Sequence, residues 1–133
     1  MPEAQRKLNG VSVVGFSRVA GKSGTLGNDS WAEAFYIGPP ASDVLRVIAV
    51  QGVVLTADRL PIGHDKPPDP LPGERFDIDV GLASGRWPNN CSISVSKVIE
   101  NPYYEAELTK GQILGMRDGS AEALLVQVIC GDG

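Results

Sequence analysis

The residues that could carry out chemistry are few in this chain, and they do not form a standard catalytic set. His64 is the only histidine, and no G-x-S-x-G segment supplies a nucleophile for it. Residues 21–23 read Gly-Lys-Ser, but five residues separate Gly15 from Gly21, whereas a phosphate-binding loop has four at this position. We therefore predict that the protein is not an enzyme, and an uncharacterised hydrolase is kept only as the last alternative.

One pair of acidic residues has a spacing that could bind a metal ion. Asp77 and Asp79 alternate along a strand-like segment, which places both carboxylates on one face about 7 Å apart. Oxygen ligands of this kind suit Ca²⁺, although a solvated outer face explains the same pattern. We predict no cofactor, and Asp77 and Asp79 are the candidates should a metal be bound.

The two cysteines, Cys91 and Cys130, each lie in an apolar and strand-like run. Two cysteines are too few for a disulfide scaffold, so we predict buried free thiols, with one disulfide between strands as the alternative. The first residues lack the apolar segment of a signal peptide, and no run reaches the ~18 apolar residues of a membrane span. The expected location is the cytoplasm, or a virion if a phage encodes the chain.

The composition indicates one β-rich domain that binds neither nucleic acid nor membrane. A length of 133 residues is typical of a single domain. Sixteen glycines and ten prolines favour many turns and few helices. The net charge of −4 argues against nucleic-acid binding, which needs basic side chains to replace counterions.

Short β-rich runs between turn signals predict an all-β fold. The longest apolar run, residues 44–56, is rich in β-branched side chains and contains Gly52, so we predict a buried strand with a bend. The full set of predicted strands is 11–19, 31–38, 44–51, 53–57, 75–82, 91–100, 103–108, 112–116 and 121–130. These are nine strands, or about eight if 44–57 is one bent strand, and their spacing favours a single antiparallel β-sandwich, jelly-roll-like, over residues 10–133. An extended N-terminal arm at 1–9 precedes it, and a Pro-rich loop at 58–74 interrupts it.

The order of elements from Phe76 onward is similar to that of a known group of proteins. An alternating strand is followed by a serine-rich strand at 91–100, an L-x-K-G-Q turn at 108–112, Asp118-Gly119 and a closing apolar strand. In this order the chain resembles small jelly-roll structural proteins, of the decoration or cement type, from tailed-phage virions. The resemblance covers roughly the last 60 residues. It implies a non-enzymatic homo-oligomer, with a trimer favoured, that binds a larger assembly such as a capsid shell.

Residues in the arm, the Pro-rich loop and two aromatic turns are the candidates for contacts with such partners. They are Arg6, Lys7, Leu8, Pro67, Pro68, Pro70, Trp87, Tyr103 and Tyr104. Trp87 lies in a Gly-Arg-Trp-Pro loop, where an exposed indole would anchor a partner or stack on a sugar, and the other interpretation is an indole that caps one end of the sandwich core. A carbohydrate-binding module that uses Trp31, Trp87 or the two tyrosines is therefore the alternative function.

Overall fold

The computed structural model describes residues 2–40, 43–57 and 78–131, with the backbone alone at 78, 79 and 103. Three α-helices and eight strands lie in this part of the chain, together with one short 3-10 helix at Val44–Arg46. In chain order they are α1 (Glu3–Leu8), β1 (Val11–Val13), β2 (Ser17–Leu26), β3 (Asp29–Gly38), β4 (Ile48–Val50), β5 (Thr56–Ala57), β6 (Ile78–Arg86), β7 (Cys91–Glu100), α2 (Pro102–Glu105), α3 (Lys110–Asp118) and β8 (Glu122–Cys130).

The strands form two antiparallel sheets that pack against each other, which confirms the predicted all-β sandwich. The larger sheet has six strands in the order β2-β3-β8-β7-β6-β5, and the smaller sheet pairs β1 with β4. Val13 and Ile48 of the small sheet join the same hydrophobic core as Ala34 and Val126 of the large one. Helix α1 packs beside the small sheet against β3 and β8.

The opposite face of the large sheet has a second core, which α2 and α3 cover. Phe35 on β3 and Leu125 on β8 pack there with Tyr104 of α2 and Met116 of α3. Because side chains alternate along a strand, neighbours of Phe35 such as Ala34 belong to the first core. The large sheet is therefore covered on both faces, but the helices reach only part of the second face.

The N-terminal segment is a helix, so the prediction of an extended arm is wrong. Ala4 and Leu8 are four residues apart and therefore lie on one face of α1. Both are buried in the first core, at 0% and 1% exposure. A helix of six residues is unstable alone, so its packing on the sheet stabilises it. Two apolar positions are too few to show a helical period, which is why the sequence did not predict this helix.

The structure also corrects the strands predicted at 103–108 and 112–116, which are α2 and α3. Asn101 caps α2 by accepting a hydrogen bond from the Tyr104 backbone. Thr109 and Gln112 form a reciprocal capping box at the start of α3, and Gly119 ends that helix in the left-handed conformation.

The central apolar run is not one long strand. Residues 44–56 fold into the 3-10 helix, the short β4, a turn at Gly52 and the first residue of β5. Gly52 has φ +83°, which a side chain with a Cβ rarely adopts, so the chain turns here. Residues 20–30 lie between two predicted strands and were therefore expected to be a loop. In the structure most of them belong to the hairpin of β2 and β3.

Cys91 and Cys130 form a disulfide, so the prediction of free thiols is wrong. Cys91 begins β7 and Cys130 ends β8, and the strand register places them directly opposite each other. Their Cα atoms are 4.1 Å apart. The register of β7 with β8 depends on the pairing of two segments that are distant in the chain, so the residues around each cysteine could not predict that the two would meet.

Candidate functional surfaces

Part of the second face of the large sheet is left uncovered by the described residues, and we call it the open sheet face. Cross-strand partners share a face, so pairing defines its rows. One row consists of Gly24, Trp31, Ile129, Ser92 and Arg86. The next row consists of Lys22, Glu33, Gln127, Ser94 and Ser84. All of these residues except Glu33 are partly or fully exposed, so the rows present a mixed polar and apolar surface.

Glu33 is the buried carboxylate beneath this face, and three donors surround it. Its Oε1 accepts a hydrogen bond from Tyr104 Oη at 2.9 Å and lies 3.3 Å from Lys22 Nζ. Its Oε2 accepts from Gln127 Nε2 at 2.7 Å. These contacts satisfy both oxygens of the buried carboxylate. Glu33 therefore ties α2 to the sheet, and its oxygens are already engaged.

Two further buried carboxylates have basic partners. Glu105 lies 2.6 Å from Arg117 Nη2, which joins α2 to α3, and Glu122 lies 3.8 Å from Lys97 Nζ across β7 and β8. Both carboxylates are therefore paired with basic side chains of the same chain.

Three apolar side chains lie at one end of the open sheet face and form what we call the edge patch. Trp31 pairs directly with Ile129, and Leu26 lies at the end of the adjoining hairpin. Leu26 is 78% exposed and Ile129 is 53% exposed. The Trp31 ring lies against Gly24, where an added Cβ would come within 2.9 Å of it. Gly24 thus allows the indole to rest flat on β2.

The edge patch adjoins a free sheet edge. Strand β2 has ten residues and pairs with β3 on one side, and no strand of the described part pairs with its other side. Its register with β3 shifts between Arg18 and Ala20 and is regular from Gly21 to Leu26. Residues 21–26 therefore present a straight row of backbone donors and acceptors.

The start of α1 borders an open groove of about 420 Å³ at the first core. The groove is lined by Glu3, Arg6, Lys7, Gly10, Gln51, Gly52 and Trp87. Trp87 is only 6% exposed and forms the floor, and its indole nitrogen donates to the Gln51 carbonyl at 3.0 Å. Lys7 Nζ lies over the ring at 5.7 Å from its centroid. Two basic side chains and one carboxylate thus surround a mostly buried aromatic ring.

The structure brings three predicted contact residues together in this groove, although they are far apart in sequence. Arg6 and Lys7 come from α1 and Trp87 from the turn after β6. Trp87 is part of the core, as the interpretation of an indole that caps the core predicted, so the ring is not an exposed anchor. Leu8 and Tyr104 are also buried, in the first and second core respectively, and do not offer contact surface.

The remaining predicted site residues lie outside what the structure describes. Pro67, Pro68, Pro70 and Asp77 fall within the segment 58–77, as does His64. For Asp79 and Tyr103 only the backbone is described.

Sequence reasoning missed two groupings that the fold creates. Trp31 and Ile129 pair only because β3 and β8 are neighbours in the sheet. Glu3 lies beside both cysteines only because α1 packs over the end of the sheet. The sequence carries no signal for either grouping, because both depend on the order of the strands in the sheet.

No known protein family, curated protein or solved structure matches the chain. None of the helices in the described part is long and apolar enough to cross a membrane.

Proposed function

We propose that the protein is a structural assembly module that binds further protein chains, including copies of itself, through the β2 edge and the edge patch. The observation that carries this proposal is the exposed apolar group Leu26, Trp31 and Ile129 beside an unpaired strand. Decoration of a virion shell is the specific role that the resemblance favours. The module would act through contacts alone and without a reaction of its own.

The β2 edge supports strand addition because it has few features that prevent it. Natural edges are usually protected by proline, by outward lysines or by bulges. No proline occurs in β2, and the register shift lies before residue 21. Lys22 lies 3.3 Å from Glu33 and 5.3 Å over the Tyr104 ring, which draws its charge onto the sheet face and away from the edge.

The position of the edge patch supports the same contact. A strand added to β2 would continue the rows of the open sheet face, so its side chains would lie beside Gly24 and Leu26 of β2. Backbone pairing would then occur together with burial of Leu26, while the rest of the partner would cover Trp31 on β3 and Ile129 on β8. Two copies that pair through β2 about a two-fold axis would double the six-stranded sheet and close as a dimer. The trimer that the resemblance implies would instead require β2 to meet a different surface of its neighbour.

The disulfide is compatible with this role. Disulfides persist in oxidising surroundings. The Cys91–Cys130 bond would be retained in a particle released from the cell, whereas a reducing cytoplasm would tend to open it.

The test is the native mass of the protein with and without the edge patch. We expect light scattering after size exclusion to give a multiple of the 14.1 kDa chain mass for the unmodified protein. The double variant Leu26→Asp/Ile129→Asp should be a monomer, because a partner that pairs with β2 and lies over the edge patch would bury both carboxylates. Leu114→Asp is the matched control, since Leu114 is 62% exposed on α3 and lies away from the edge.

Hydrogen exchange gives a second measurement that reports on the backbone. Amides at 21–26 should exchange more slowly in the assembled protein than in the double variant, and amides of α3 should not differ. A monomeric unmodified protein, or a double variant that assembles as well as Leu114→Asp, would contradict the proposal.

The second candidate function is carbohydrate binding, which the row of Trp31 favours. Trp31 is partly exposed and lies in line with Ser92 and Arg86, next to a row with Ser94 and Gln127. An aromatic ring beside several hydrogen-bonding groups is typical of a sugar site. Migration in native gels containing polysaccharides should be retarded, and Trp31→Ala should remove the retardation while Leu114→Asp keeps it. Unretarded migration on every polysaccharide tested counts against this function.

A further inference from the structure

Three metal-ligating side chains meet at the end of the sheet, where α1 begins. The Sγ atoms of Cys91 and Cys130 and a carboxylate oxygen of Glu3 all lie within 4.8 Å of one another. Ligand atoms around tetrahedral Zn²⁺ are about 3.5–4 Å apart, given zinc–sulfur distances of ~2.3 Å and zinc–oxygen distances of ~2.0 Å. Small movements of the side chains would therefore bring all three into a zinc sphere once the sulfurs are separate.

The carboxylate is already oriented by a neighbour. Asn89 Nδ2 donates to Glu3 Oε1 at 2.7 Å, which fixes the orientation of the carboxylate beside the two sulfurs. Hydrogen bonds of this kind commonly hold metal-binding side chains in place. Glu3 also lines the groove beside Trp87, which gives solvent a route to a fourth position.

We propose that the reduced protein binds one Zn²⁺ through Cys91, Cys130 and Glu3, with water as the fourth ligand, and that forming the disulfide releases it. Two thiolates and one carboxylate suit Zn²⁺ better than harder cations such as Ca²⁺ or Mg²⁺. Closure of the disulfide removes both thiolates at once, so the site exists in one redox state only.

The chemical steps balance with a dithiol as the reductant. The dithiol transfers two electrons and two protons to the Cys91–Cys130 bond, which opens to two thiols, and the reductant leaves as its own disulfide. Zinc then binds both sulfurs as thiolates and displaces their two protons to solvent. A small-molecule disulfide takes the two electrons of the thiolates and two protons from solvent, leaves as two thiols, re-forms the Cys91–Cys130 bond and frees the metal.

A reductant can reach the buried disulfide only if α1 moves, although solvent reaches Glu3 through the groove. Both cysteines are almost fully buried in the first core. The covering helix has six residues, and the Ala4 amide donates to Ser30 Oγ at 3.2 Å at its start. Short terminal elements open locally more readily than central strands do. Detachment of α1 would therefore expose the disulfide while the large sheet stays paired.

The experiment uses the full chain, reduced with a phosphine under nitrogen and then titrated with zinc against a chromophoric chelator. We expect one zinc per chain for the reduced protein and none for the oxidised protein. Glu3→Gln should weaken zinc binding by at least about tenfold, since even an outer partner of a metal site has an effect of this size. Glu107→Gln is the matched control, because Glu107 is exposed and distant from the cysteines in the fold.

Cobalt substitution identifies the ligands independently of affinity. Reduced protein with Co²⁺ should show thiolate-to-cobalt charge-transfer absorption and the visible bands of a tetrahedral ion, and Cys91→Ser/Cys130→Ser should show neither. Circular dichroism of each variant and of the reduced chain checks folding. Zinc binding that is equal in Glu3→Gln and Glu107→Gln would overturn the proposal. Reduced protein that binds no zinc, or that stays unfolded with zinc present, would overturn it as well.

Discussion

Reduction of the Cys91–Cys130 disulfide should remove a large part of the stability of this domain. The bond joins residues separated by 39 positions, so it constrains a long loop of the unfolded chain. The loop-closure relation gives an entropy of about 13 cal/mol/K for this length, which corresponds to about 4 kcal/mol at 25 °C. The folded state should change little, because β7 remains paired with β8 from Cys91 to Lys97.

Urea unfolding of oxidised and reduced protein measures this loss. With an m-value of about 2 kcal/mol/M, the midpoint should fall by roughly 2 M. Cys91→Ala/Cys130→Ala is the control, since its midpoint should not respond to reductant. A fall of less than about 0.5 M, or about 1 kcal/mol, would refute the reasoning. It would mean that the unfolded chain gains little freedom when the bond opens.

Three further measurements test other parts of the structure. Tyr104→Phe removes a donor to the buried Glu33 and should lower the free energy of unfolding by about 1.5–3 kcal/mol in urea, while an unchanged midpoint would contradict the contact. Burial raises the pKa of Tyr36 above its ordinary value of 10.0, so the stability linked to its neutral phenol is complete below pH 10 and is lost as the pH rises through the higher folded pKa. Tyr36→Phe should therefore lose less stability than the unmodified protein between pH 9 and pH 12, and parallel losses would exclude this linkage. Gly119→Ala should lower stability by about 1 kcal/mol in thermal unfolding because Gly119 has φ +84°, whereas Gly111→Ala near the start of α3 should not, and equal effects would argue against backbone strain.

The sequence predicted best the features that depend on local alternation. In β7, Cys91, Ile93 and Val95 alternate with serines, a period of two that predicts one buried face, and all three are buried. The serines between them lie on the partly exposed opposite face. A side chain's face follows from its neighbours in the same strand, so no knowledge of the rest of the fold was needed.

Short elements that rely on tertiary contacts were predicted wrongly. The Thr109 and Gln112 spacing is a capping-box signal, yet the apolar residues between turns at 112–116 favoured a strand by composition. Strand propensity also dominated the run at 44–56, where Gly52 in the left-handed conformation decides the chain path. In both cases one or two backbone-directing residues outweighed the side chains around them.

The candidate surfaces could not be predicted because they depend on strand order. The groove unites α1 with the turn after β6, and the zinc ligands unite α1 with β7 and β8. Each contact requires that the N-terminal segment return to one particular end of the large sheet. Nothing in the spacing of Glu3 or Trp87 along the chain specifies that end.

The two proposed functions differ in which part of the open sheet face they need. Scattered apolar side chains are normal on a protein surface, so Leu26 or Ile129 alone would signify little. Their position beside the regular part of β2 is what favours assembly, because a partner that adds a strand to β2 covers Leu26 and can extend over β3 and β8 to Trp31 and Ile129. A sugar on Trp31 would instead leave the β2 amides exposed. Slow hydrogen exchange at 21–26 in the unmodified protein would therefore favour assembly, and fast exchange there with Trp31-dependent retardation in polysaccharide gels would favour carbohydrate binding.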